Sequence, residues 1–69
     1  MFTETEQIAI INAFAQAWPE VEMYMDPSTD RASAAVDVMR DHATQVAGIT
    51  RDLNEQEDEW LLAKAAEYV

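Results

Sequence analysis

The sequence predicts an all-α fold, a small three-helix bundle, and three observations predict it. Apolar residues recur at helical spacing in three separate stretches. The one glycine and both prolines fall where that pattern changes. Only residues 20–25 alternate with a strand period, and a lone strand there has no partner. The expected helices span about 4–18, 28–47 and 51–68, with a short helical turn or irregular connector at 20–25. Residues 1–69 then form a single acidic helical domain.

The first helix opens on Thr3-Glu4-Thr5-Glu6, which fits a capping box between Thr3 and Glu6. Ile8, Ile11, Ala15 and Trp18 follow at helical spacing, and Ile10, Phe14 and Ala17 widen the stripe. Pro19 disfavours helical geometry at Trp18, so the element is expected to end or kink there. Asp26-Pro27 reads as the N-cap and first residue of the second helix, with Ser28 or Thr29 as alternative caps. Ala32, Val36, Met39, Ala43 and Val46 form its apolar stripe. Gly48 suits the left-handed position after the helix, with Ile49 as the accompanying apolar contact. The third helix starts at Thr50 or at Asn54, where Asn54-Glu55-Gln56-Glu57 is a second capping-box candidate. Leu53, Trp60, Leu61, Ala65 and Tyr68 share its inner face, which Glu57 interrupts.

Composition narrows the function. The 69 residues carry 14 Asp and Glu against 4 Lys and Arg, a formal net charge of −10, while 49% of them are hydrophobic. That apolar content separates the chain from disordered acidic tails. The charge repels nucleic-acid phosphates and anionic lipid surfaces, so neither direct nucleic-acid binding nor membrane binding is expected. No apolar run approaches the 18 or so residues of a membrane span. The N-terminus lacks the basic region of a signal peptide, and there is no cysteine. The expectation is a cytoplasmic protein. A core this small and this rich in alanine leads to the expectation of homodimerisation, with apolar faces completed across subunits.

Catalytic and metal motifs are missing. The serines are Ser28 and Ser33, the one histidine is His42, and His42 sits at the border of an apolar stripe, as a hydrogen-bonding or interface residue does. EF-hand-like starts at Asp26 and Asp52 lack the required glycine and the final glutamate. Met39 stands where a Glu-x-x-His metal motif needs its Glu, and no Gly-rich phosphate loop exists. An acyl-carrier protein is ruled out because the chain has no Asp-Ser pair. No enzyme activity, cofactor or metal is expected.

The acidic residues form three sets. Asp30, Asp37 and Asp41 project within about 40° of one another on the second helix, opposite its apolar stripe. A row at this spacing resembles the charge pattern of a nucleic-acid backbone. Asp52, Glu55, Glu57, Asp58 and Glu59 open the third helix, where the helix dipole favours them. Glu20, Glu22 and Asp26 flank Met23-Tyr24-Met25, an anchor for a partner if Tyr24 is exposed; Met23 or Met25 plugging the bundle end is the competing reading. Arg31, Arg40 and Arg51 are placed to relieve Asp30, Asp37 or Asp41, and Asp52. The rest of the charge is uncompensated, and its repulsion disfavours the compact state.

The expected function is therefore a non-enzymatic module that presents a negative helical surface to a basic, nucleic-acid-binding protein and inhibits or sequesters it. In general character the chain resembles small acidic phage-encoded inhibitors of host nucleic-acid machinery, including anti-CRISPR proteins; the likeness is one of size and charge. The partner-binding candidates are Asp30, Asp37, Asp41, Glu20, Glu22, Tyr24, Asp26, Glu55, Asp58 and Glu59. Two alternatives stand beside it: an assembly protein acting through Trp60 and Phe14 in a homo-oligomer, and a helical domain adapted to high salt.

Overall fold

The computed structural model describes residues 1–68 and contains three α-helices: α1 Glu4–Met23, α2 Arg31–Gln45 and α3 Glu55–Tyr68. Both capping boxes form. At α1 the Thr3 N–H donates to Glu6 Oε1 at 2.8 Å and the Glu6 N–H to Thr3 Oγ1 at 3.1 Å. At α3 the Glu57 N–H donates to Asn54 Oδ1 at 2.9 Å, and the Asn54 N–H to Glu57 Oε1 at 3.0 Å. The α3 helix thus begins after Asn54, later than the expected start near residue 51.

Two further boundaries differ from expectation. Pro19 neither ends α1 nor leaves residues 20–25 as a separate turn, because the helix runs through it to Met23. Proline removes the amide that would bond the Ala15 carbonyl. Ala15, Pro19 and Glu20 are all exposed, so water can take the missing amide's place and donate to that carbonyl. At α2 the cap is Asp30, whose side chain accepts from the Ala32 and Ser33 amides. Asp26 instead accepts from the Ser28 amide and hydroxyl, both at 2.8 Å, and builds the turn before the helix. The α2 helix closes as read from sequence: Gly48 has φ +74° and the buried Ile49 donates its amide to the Ala43 carbonyl.

The middle helix packs against both others. Phe2, just before α1, meets Trp60 near the start of α3, with ring centroids 5.3 Å apart. Phe14 in mid-α1 meets Tyr68 at the end of α3, at 5.0 Å. These contacts make α1 and α3 run the same way, with α2 opposed, an up-down-up bundle. The core holds Phe2, Ile10, Phe14, Trp18, Ala35, Val36, Met39, Ala43, Ile49, Leu61 and Ala65. On α1 the bulky set Ile10, Phe14 and Trp18 turns inward, while Ile8 and Ala15 of the expected stripe are exposed. Burying the larger side chains removes more apolar area from water. Ala32 and Val46, at the two ends of the α2 stripe, are exposed as well.

Candidate protein-binding surface

The surface starts from one buried charge. Glu57 is fully buried at the first turn of α3. Its carboxylate takes both arms of the Arg51 guanidinium at 2.6 Å each, with the N-terminal ammonium at 3.8 Å. Arg51 and the Asn54 amide hold the Glu57 carboxyl down at about 2 against the opposing effect of burial. The same pairing raises the Arg51 pKa and keeps that side chain charged. Arg51 thus neutralises Glu57 and not Asp52, whose backbone carbonyl alone it touches. This clamp fixes the α2–α3 connection and the orientation of the α3 N-terminus. The sequence signal was available: an acid on an apolar face, inside a capping box.

Fixing α3 brings two of the acidic sets together. Arg40 lies 3.5 Å from Asp37 and 3.4 Å from Asp58. The α2 row and the α3 cluster therefore meet at one guanidinium that answers only part of their charge. Arg40, Thr44, Arg51, Asp52, Leu53 and Asp58 line a groove of about 350 Å³ between them. Asp41 stands one helical turn beyond Asp37 on the same face, exposed and without an ion pair among the described residues. Glu55 is exposed at the start of α3.

The other candidates fall elsewhere. Asp30 lies exposed at the α2 N-terminus, where it caps the helix and bonds the Ser33 hydroxyl as well, while Asp37 and Asp41 continue the row further along α2. Glu59 lines a different groove with Met1, Gln56 and Trp60. Glu20, Glu22, Tyr24 and Asp26 gather at the opposite end of α2, by the α1 C-terminus. Arg31 pairs there with Glu22 at 2.7 Å and not with Asp30. Tyr24 and Met23 are exposed at 80% and 74%, while Met25 is half-buried against the core. Tyr24 thus has the exposure an anchor requires, and Met25 is the methionine that packs against the bundle end.

Among the described residues, no three His, Asp or Glu side chains gather in a geometry that could hold a metal ion. His42 is half-buried at the border of the apolar stripe, and its Nδ1 has no hydrogen-bond partner among the described residues. No described helix is long and apolar enough to cross a membrane. Phe14 is fully buried inside the bundle. No family model, curated protein or solved structure matches the chain.

Proposed function

We propose that this chain is a non-enzymatic acidic binding module that presents its α2–α3 carboxylates to a basic, nucleic-acid-binding protein and inhibits or sequesters it. One observation carries the reading: every side-chain cation is already engaged within the chain. Arg31 pairs with Glu22, Arg40 with Asp37 and Asp58, Arg51 with Glu57, and Lys64 with Glu67. Glu4, Glu20, Asp41, Asp52, Glu55 and Glu59 stay exposed with no cation among the described residues. Their mutual repulsion disfavours folding, and a basic partner relieves it. Such a surface also steers a basic partner into rapid encounter.

Affinity capture from a cell lysate at low and high salt, with the captured proteins identified by mass spectrometry, tests this. The expected catch is basic nucleic-acid-binding protein that leaves the bait as salt rises. Capture of neutral proteins insensitive to salt contradicts the reading. It would favour an assembly role, for which the exposed Leu62 beside Ala32 and Val36 is the specific feature.

A further inference from the structure

We infer that the end of the molecule built by the α1 C-terminus and the α1–α2 turn receives an arginine side chain of the basic partner, with the Tyr24 ring as its stacking face. This rests on the reading of the chain as a binder of basic proteins, and it names the chemistry of a second contact. Tyr24 and Met23 are 80% and 74% exposed, more than any other large apolar side chain described. They sit at the negative end of a helix whose last turn holds no basic residue. Glu20 and Glu22 add to that negative potential where a helix ordinarily carries Lys or Arg.

Within the chain, one cation meets this charge: Arg31, already held by Glu22 at 2.7 Å. Asp26 is kept ionised by the Ser28 amide and hydroxyl, and Glu20 is exposed without a partner. A groove of about 330 Å³ beside them is lined by Glu22, Met25, Asp26, Pro27, Thr29 and Arg31. Charge complementarity calls for a cation, and the ring calls for a flat one. A guanidinium stacks on an aromatic face while its edge donates to carboxylates, whereas an ammonium offers a hydrated point charge. Nine residues of α2 separate Arg31 at this end from Arg40, a rise of about 14 Å, so the two can be read separately.

The test titrates the isotope-labelled chain with a capped Gly-Arg repeat peptide and its Gly-Lys counterpart, followed by NMR. Amide shifts are expected at residues 20–26, with the Arg peptide bound roughly two- to fivefold more tightly. Tyr24→Leu keeps an apolar side chain at an exposed position and is expected to abolish that preference. Equal binding of the two peptides, or a preference that survives Tyr24→Leu, overturns the inference. Shifts confined to residues around Asp41 and Asp58 also overturn it, and leave the acidic-surface reading standing. Failure of both peptides to bind anywhere overturns both.

Discussion

Glu57 keeps its charge with no contact with water because Arg51 supplies a parallel pair of hydrogen bonds and the Asn54 amide a third. Removing one partner of such a pair leaves an uncompensated buried charge. Arg51→Ala is expected to lower stability measurably, read from urea unfolding, and a change within error would show that the clamp is ornamental. The acid dependence follows from the direction of the shift. The Glu57 carboxyl is lowered from 4.5 to about 2 in the folded chain, so its contribution is complete above the ordinary value and is lost as pH falls from there toward 2. The melting-temperature gap between the native chain and Glu57→Gln should therefore be widest near neutrality and close across that window. A gap independent of pH would refute the assignment. Protonating the unpaired surface carboxylates acts in the opposite direction by relieving repulsion, which is why the gap, and not the native curve alone, is the readout.

At the scale of elements, the features legible in sequence were those fixed by neighbours along the chain. Thr3 with Glu6 and Asn54 with Glu57 set two helix starts within three residues each, and Gly48 marked the end of α2 through its backbone freedom. The features that escaped depend on what a residue faces. Whether Pro19 breaks α1 turns on the exposure of Ala15 and not on Pro19 itself. The meeting of Asp37 with Asp58 across Arg40 depends on how α2 and α3 pack, which no local pattern records. The Asp37–Asp41 face was visible from its four-residue step, but the capping role of Asp30 was not, because Asp26 competed for that role. These points lead to an expectation for Pro19→Ala. It restores an amide donor to the Ala15 carbonyl in a helix that already continues, so stability should rise by about 1–3 kcal/mol. Thermal melting checks this, and an unchanged midpoint would indicate a helix that ends at Trp18.

For the whole molecule, a formal charge of −10 is wrapped around a core that holds, among the described residues, eleven buried apolar side chains, within a Cα radius of gyration of 11.6 Å. Like charges held this close repel, and salt weakens that repulsion. The melting temperature should rise modestly as KCl increases to about 0.5 M, from a chain already folded in dilute buffer. A chain that folds only in multimolar KCl would support salt adaptation and remove the reason to invoke a partner. The most direct test of the acidic surface is the double charge reversal Asp37→Lys with Asp41→Lys, at exposed positions on α2 outside the core. Capture of the basic partner by this variant is compared with capture by the native chain, with helicity monitored by circular dichroism. The account predicts that capture falls sharply while helicity is retained; capture undiminished in the folded variant would contradict it.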